Sequence, residues 1–335
     1  MTDNTVPFVS VVIPTHNRGE ILKHTVESLF SQSYPGDRYE IIVVDNASTD
    51  ETEEMVQSLQ RVAPCSLKYY RKENEGPGAA RNLGISKASG DIVAFTDSDC
   101  VAHHDWLKNG VSKIMEGFGL VQGKTLPNPD QPRITLHHTM EVRHENGFYQ
   151  TCNIFYLKEI LDQAGGFSPD FCGLDLFGIP RWGGEDTDLA WRVKKQGWRS
   201  AFEDTAVVFH HVFPLSPFGI LFSGYYKSGV IILHRIIQRH PELRNIILYM
   251  KIFQIKRRFL FYLLVMSLIS GLTLHWGFFL LGVPYVNAVL RRSFYKFPIR
   301  DYHRGIGNVI LTLLVDIMHS VFFLFSSLIY RTVVL

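Results

Sequence analysis

Residues 90–100 read Gly90-Asp-Ile-Val-Ala-Phe-Thr-Asp-Ser-Asp-Cys100. Ile92 to Phe95 form a short apolar run, the pattern of a buried strand. Asp97 and Asp99 follow at its end, one residue apart. Two readings of that ending are open. Paired carboxylates at a strand end make a hard, oxygen-rich corner that suits a divalent cation carrying phosphates. Asp and Ser are also common turn and cap residues, so the same stretch reads as a polar turn before a helix.

Three further apolar runs precede this one: Phe8-Val-Ser-Val-Val-Ile-Pro-Thr15, Tyr39-Glu-Ile-Ile-Val-Val-Asp45 and Ser66-Leu-Lys-Tyr-Tyr70. Helical patterns lie between them. Ile21, Leu22, Val26, Leu29 and Phe30 recur at helical spacing, Asp50 and Glu51 open a second helix, and Gly76-Pro-Gly-Ala-Ala-Arg-Asn-Leu-Gly84 enters a third. Strands alternating with helices predict a doubly wound α/β sheet, in which ligands bind beyond the carboxyl ends of the strands. Thr15, Asp45 and the Asp97/Asp99 pair all lie just past strand ends, so they are expected to line one crevice. That agreement favours the functional reading of the opening stretch. Asp45 suits hydrogen bonding to a base or ribose, although a lone acid after a strand is also an ordinary turn residue. Arg81, at a glycine-rich helix start, could face the anionic or polar part of a nucleotide, or be a surface arginine. Gly76, Gly78 and Gly84 do not make a G-x-G-x-x-G fingerprint, so a dinucleotide is not expected.

The middle of the chain predicts a helix over His103–Phe118, a strand over Gly119–Gly123 and a mobile loop over Leu126–Gln131, which holds two prolines. His137, His138 and His144 lack zinc-ligand spacing and read as packing or surface residues. Thr151 to Phe167 reads as strand, helix and glycine turn. Trp182-Gly-Gly-Glu-Asp-Thr-Asp-Leu-Ala-Trp-Arg192 is the second landmark. Its glycines admit a close backbone approach, and Glu185, Asp186 and Asp188 then open a helix. A helix N-terminus stabilises an ionised carboxylate, which suits a general base. Asp188 and Arg192, at i and i+4, read as a structural pair. Further on, Ala206-Val-Val-Phe-His-His211 is a strand that ends in two imidazoles, either of which could join a carboxylate-bound cation.

These segments together resemble the family 2 glycosyltransferases of GT-A fold. The matching stretches are Val11-Val-Ile-Pro-Thr-His-Asn-Arg18, Val43-Val-Asp-Asn-Ala-Ser-Thr-Asp50, Gly78-Ala-Ala-Arg-Asn-Leu-Gly84, Thr96-Asp-Ser-Asp99, Gly184-Glu-Asp-Thr-Asp-Leu189 and His210. They span about the first two-thirds of the chain in the expected order. The resemblance implies a nucleotide-sugar donor, a UDP- or GDP-sugar, with Thr15, Asp45, Arg81 and Asp97 as its contacts. It implies a D-x-D metal site of Asp97 and Asp99, completed by His210 with His211 in reserve, for Mn²⁺ or Mg²⁺. Asp186 would be the catalytic base with Glu185 beside it, and transfer would invert the anomeric carbon. The fold implied is a mixed sheet with a Rossmann-like nucleotide-binding half and an acceptor half. The Gln-x-x-Arg-Trp motif of processive synthases is missing, the nearest match being Gln254-Ile-Lys-Arg-Arg258. Polyprenyl-phosphate sugar synthases, the alternative enzyme class, lack a clear Glu-Asp motif of this kind. Its presence favours a hydroxyl acceptor on a lipid-linked or cell-surface glycan over a lipid phosphate. It also argues against a non-catalytic nucleotide-binding scaffold.

The charge of the 335 residues is unevenly distributed. Ser216 to Leu335 holds 14 of the 34 Lys/Arg and 3 of the 32 Asp/Glu, a net of +11, which leaves a net of −9 before it. An acidic part followed by a basic, apolar one predicts a catalytic domain over 1–215, amphipathic linker helices over 216–255 and a helical membrane region over 256–335. Phe259–Val283 and Ile306–Tyr330 are each long enough to cross a bilayer. Lys256, Arg257 and Arg258 precede the first run, and Arg291, Arg292, Lys296, Arg300 and Arg304 follow it. Both clusters stay inside if the first run is a hairpin, about 259–290, that bends near Gly271–His275 and a span follows at about 306–330. Asp316 and His319, one turn apart, are expected to face protein rather than lipid. Met1-Thr-Asp-Asn-Thr-Val-Pro7 has no basic or apolar leader pattern, so the catalytic domain is expected on the cytoplasmic side of the plasma or inner membrane. Four scattered cysteines read as reduced thiols. Membrane lipids are expected partners and nucleic acid is not.

Overall fold

The sheet begins with four strands, three of them buried along nearly their whole length. In the computed structural model, which describes residues 6–132, 137–174, 180–216, 219, 229–294 and 302–335, these are β1 (Val9–Thr15), β2 (Tyr39–Asn46), β3 (Ser66–Lys72) and β4 (Ile92–Thr96). They lie side by side in the order β3-β2-β1-β4, and all three neighbouring pairs are parallel. Continuous Val/Ile runs suit this position because both faces of a parallel sheet are covered by helices. The helices are α1 (Gly19–Phe30), α2 (Thr52–Gln60) and α3 (Pro77–Lys87). Thr15 and Asp45 pair directly across β1 and β2, which sets the strand ends level.

Beyond β4 the sheet becomes mixed, with three antiparallel pairings and one parallel one. It continues through β8 (Asn153–Leu157), β6 (Leu120–Pro127), β11 (Ser200–His210) and finally β5 (Cys100–Ala102). Only Asp97, Ser98 and Asp99 separate β4 from β5 in the chain, yet three strands lie between them in the sheet. In a flat sheet those four strand spacings would cover about 19 Å. The chain from Thr96 to Cys100 can reach at most about 14 Å. The sheet must therefore curl, and the two aspartates sit at the seam. Backbone bonds hold the seam: His211 N–H donates to the Asp99 carbonyl at 2.8 Å, and Thr25 Oγ1 donates to the Ser98 carbonyl at 3.0 Å.

Some boundaries differ from the sequence reading. Strand β6 runs through Pro127, so the expected loop starts later, and helix α4 spans Trp106–Met115. His137–His138 form a short strand, β7, against β12 (Phe213–Pro214). Strands β9 (Cys172–Leu174) and β10 (Pro180–Trp182) make a separate antiparallel ladder. Helix α5 (Lys158–Ala164) ends at Gly165 and Gly166, both at positive φ, which supplies the expected glycine turn. Helix α6 covers Glu185–Lys195.

The chain divides into two compact units, Met1–Pro214 and Leu215–Leu335. Of the expected amphipathic segment over 216–255, residues 217–218 and 220–228 lie outside the described residues, and a helix covers Gly229–Arg239. In the second unit, a helix over Lys256–Thr273 ends before His275, whose Nδ1 accepts from Gly277 N–H at 3.0 Å. A 3₁₀ segment, Trp276–Gly282, then leads into a helix over Val283–Phe294. The first apolar run is thus broken near His275. Ser267 Oγ, 2.9 Å from the Phe278 carbonyl, ties the 3₁₀ segment back to the first helix. The tip is apolar and open to solvent: Leu272 is 80% exposed and Trp276 71%. A final helix covers Tyr302–Ile329, and its stretch Gly305–Ile329 has mean hydropathy 2.1, long and apolar enough to cross a membrane. Asp316 is fully buried there, paired with Arg257 at 2.9 Å and accepting from Tyr285 Oη at 2.9 Å. His319 Nδ1 lies 3.0 Å from Arg258 Nη2.

Close approach of α4 to the sheet makes a test. A Cβ on Gly110 would lie 2.2 Å from the Phe155 ring, which is buried and packed on Trp106. Gly110→Ala should cost about 1–3 kcal/mol by overpacking, more than the roughly 1 kcal/mol that alanine gains over glycine in a helix. Urea unfolding of the full chain checks this. Adding Phe155→Leu should restore part of the loss, and a single variant more stable than wild type contradicts this packing.

Candidate active site

A cavity of about 380 Å³ opens at the carboxyl ends of β1, β2 and β4. Thr15, Arg18, Asn46, Arg81 and Asp97 line it. Thr15 Oγ1 is buried and has no hydrogen-bond partner. An unpaired buried hydroxyl is costly unless something polar meets it, so its place on a cavity wall fits a ligand atom. Asp45 is fully buried. Its Oδ1 accepts from Ser48 N–H at 2.8 Å and Ser48 Oγ at 2.6 Å, and its Oδ2 from Tyr69 Oη at 2.5 Å. On that side the wall is formed by the next residue, Asn46.

Arg81, from the first turns of α3, joins the two acidic landmarks. Its Nη2 donates to Asp97 Oδ1 at 2.8 Å and its Nη1 to Glu185 Oε1 at 3.3 Å. The guanidinium is buried, and Asp97 with Glu185 raises its pKa despite the desolvation. Glu185 opens α6 behind Gly183 and Gly184, whose φ values of 147° and 87° suit glycine. Burial raises the pKa of Glu185 above the ordinary carboxylate range, outweighing Arg81. Asp186 follows, its Oδ1 accepting from Thr187 N–H at 2.8 Å. Burial of its carboxyl, and then the neighbouring Glu185, pushes its pKa up to about 7. A carboxyl poised there can take and release a proton near neutrality. Asp188 is different: it pairs with Arg192 at 2.8 Å, and Arg192 Nη2 donates to the Gly166 carbonyl at 2.6 Å. That pair fastens α6 to the turn after α5.

Asp99 stands on the other side of the seam. Its Oδ2 accepts from Arg18 Nη1 at 2.6 Å, and its Oδ1 lies 3.6 Å from His210 Nε2. His210 Nδ1 lies 2.8 Å from the His211 carbonyl. A carbonyl only accepts, so Nδ1 carries the proton and Nε2 keeps a lone pair. Among the described residues, Asp99, Cys100 and His210 gather ligand atoms within 4.8 Å of one another. Asp97 stands apart from this trio, with its Oδ1 on Arg81. His211 bonds Gln131 instead, at 2.8 Å from its Nδ1.

The residues singled out by sequence fall into two connected groups. Arg81, Asp97, Glu185 and Asp186 form one, Asp99 and His210 the other, and Thr15 lies on the shared cavity wall. Arg18 and Cys100 were not singled out. Arg18 follows β1 in a loop where no periodicity points at it. Cys100 looks like a core residue, and only the pairing of β5 with β11 brings it opposite His210.

A profile described as glycosyl transferase family 2 matches residues 10–172. Glycosyltransferase AglE of Haloferax volcanii is 31% identical over 235 residues, 68% of this chain and 73% of that protein. The GalNAc(5)-diNAcBac-PP-undecaprenol β-1,3-glucosyltransferase of Campylobacter jejuni is 35% identical over 123 residues, 36% of this chain and 39% of its own length. Two solved structures share the fold. The mannosyltransferase PcManGT from Pyrobaculum calidifontis, in complex with GDP-Man and Mn²⁺, has a TM-score of 0.54 at 18% identity and covers 88% of this chain and 89% of its own. TarS of S. aureus, in complex with UDP-GlcNAc, has a TM-score of 0.52 at 19% identity and covers 90% and 79%. The chain belongs to glycosyl transferase family 2, and its curled mixed sheet is the GT-A architecture.

The central arginine can be tested through stability. Arg81→Met leaves Glu185 buried without its counter-charge and should cost about 3–5 kcal/mol. Adding Glu185→Gln removes the stranded charge and should recover part of that loss in urea unfolding. A double variant no more stable than Arg81→Met contradicts the coupling.

Proposed function

We propose that this glycosyltransferase moves a sugar from a UDP- or GDP-sugar to a hydroxyl of a lipid-linked or cell-surface glycan, with inversion. The observation that carries the reading is the line from the cavity through Asp97 and Arg81 to Glu185 and Asp186. Asp97 and Arg81 on the cavity wall are bonded to each other, Arg81 is bonded to Glu185, and the next residue, Asp186, has its pKa pushed up to about 7, which supports a base beside a donor pocket. Arg18 and Arg81 supply positive charge for a diphosphate, and Thr15 supplies an unspent hydroxyl. Asp45 would reach a base only by giving up a bond to Ser48 or Tyr69.

In this reading Asp186 accepts the proton of the acceptor hydroxyl. The freed oxygen bonds to the anomeric carbon from the face opposite the diphosphate. The glycosyl–phosphate bond breaks, and the nucleoside diphosphate leaves with the electron pair. Glu185 stays on Arg81 and fixes the start of α6, which orients Asp186. The paired donors Asp99 and His210 fit a divalent cation, Mn²⁺ or Mg²⁺, with Asp97 close by in the chain. When bound, such an ion neutralises charge developing on the leaving diphosphate.

The exposed apolar tip at Leu272–Trp276 and the apolar helix Gly305–Ile329 support attachment to a membrane, where a lipid-linked acceptor is met. We assign the catalytic part to residues 1–215 and the membrane region to 256–335. The active site lies on the cytoplasmic face of the plasma or inner membrane in this reading.

Asp186→Asn should lower kcat by about 10²–10⁴-fold and change the donor KM little. A nearly harmless Asp186→Asn would instead point to a phosphate acceptor, which needs no strong base. A base works only when deprotonated, so kcat/KM should rise as pH climbs through about 7 and then level off. A profile flat across that range contradicts the assignment.

A further inference from the structure

Three unlike donor atoms meet at the seam. Asp99 Oδ1 lies 3.6 Å from His210 Nε2 and 3.9 Å from Cys100 Sγ. All three residues are buried. Cys100 and His210 face each other directly on antiparallel β5 and β11, and directly opposed residues project from the same face. In a tetrahedral site with metal–oxygen and metal–nitrogen bonds near 2.0–2.2 Å and a metal–sulfur bond near 2.3 Å, neighbouring ligand atoms are about 3.3–3.6 Å apart. The two separations from Asp99 Oδ1 are within a few tenths of an ångström of that range, and the sulfur and imidazole lie within 4.8 Å of each other.

The surroundings have already chosen the atoms. Arg18 occupies Asp99 Oδ2, so Oδ1 is the oxygen turned to the trio. The His211 carbonyl holds the proton of His210 on Nδ1, which leaves Nε2 as the donor. Cys100 is a free thiol. A carboxylate suits Mg²⁺ or Mn²⁺, an imidazole already leans towards Zn²⁺, and a thiolate shifts the preference further to softer ions.

We propose that Cys100 is a third protein ligand of the cation held by Asp99 and His210, and that its sulfur makes the site favour Zn²⁺ or Co²⁺ over Mg²⁺ and Mn²⁺. This rests on the reading that Asp99 and His210 hold a cation. As the metal–sulfur bond forms, the thiol proton passes to solvent. The remaining coordination positions stay open, as in sites that also bind a substrate oxygen.

The test is a titration of the full detergent-solubilised chain with Co²⁺ alone, followed by absorption spectroscopy. Wild type should show visible d–d bands together with a near-ultraviolet thiolate-to-cobalt charge-transfer band. Cys100→Ser should keep the visible bands and lose the near-ultraviolet one, and Cys152→Ser should keep both. In chelator competition, Cys100→Ser should weaken Zn²⁺ at least about tenfold, and Mn²⁺ less. A second measurement needs no variant: X-ray absorption of the Zn²⁺-loaded wild type should show a sulfur neighbour near about 2.3 Å. Bound cobalt without the charge-transfer band, or zinc with only nitrogen and oxygen neighbours, overturns the thiolate ligand and leaves the Asp99–His210 reading intact. No metal bound at all overturns both.

Discussion

The bridge of three residues between β4 and β5 is the constraint on which the rest depends. It is too short to pass the three strands that separate its ends in the sheet, so the sheet curls to meet it. The curl brings the carboxyl end of a parallel half against the last strand of a mixed half. Asp97 and Asp99 are that bridge. Their side chains diverge, Asp97 to Arg81 and Asp99 to Arg18 and His210. One short turn thus links a candidate donor pocket, a candidate base and a candidate metal site.

Charge balance explains why these carboxylates can crowd together. Arg81 alone is bonded to two of them, Asp97 and Glu185, and is itself almost fully buried. Burying charge is expensive unless it is paired, so Glu185 and Asp186 respond by moving to higher pKa. Arg18 is partly exposed and holds one oxygen of Asp99. Both arginines border the same cavity, so an arriving diphosphate would compete with the aspartates for them.

The parallel half was legible because β1, β2 and β4 announce themselves locally, with an apolar run and an acid or threonine at the end. Thr15, Asp45, Asp97 and Asp99 could be placed at strand ends without a structure. The glycines before Glu185 likewise marked a helix start. The mixed half was less legible, because β5 is three residues long and its partner β11 lies about a hundred residues away. Cys100 therefore read as a core thiol, and Arg18 as part of a polar loop. Side-chain choices were also hidden: nothing in the sequence says that Asp45 bonds Ser48 and Tyr69 while Asn46 lines the cavity. In the second unit the apolar runs are visible in composition, and the basic clusters on either side of the first run argue for a bend near Gly271–His275. The Arg257–Asp316–Tyr285 cluster could not be read, because it joins three separate helices.

The central claim is that the seam aspartates serve a metal-assisted nucleotide-sugar site. The most direct measurement is hydrolysis of a panel of UDP- and GDP-sugars by the purified chain, with and without added divalent cation, beside Asp99→Ala. The expected result is turnover of at least one donor that depends on the cation and is largely lost in Asp99→Ala. Full activity of Asp99→Ala, or no turnover of any donor, would contradict it.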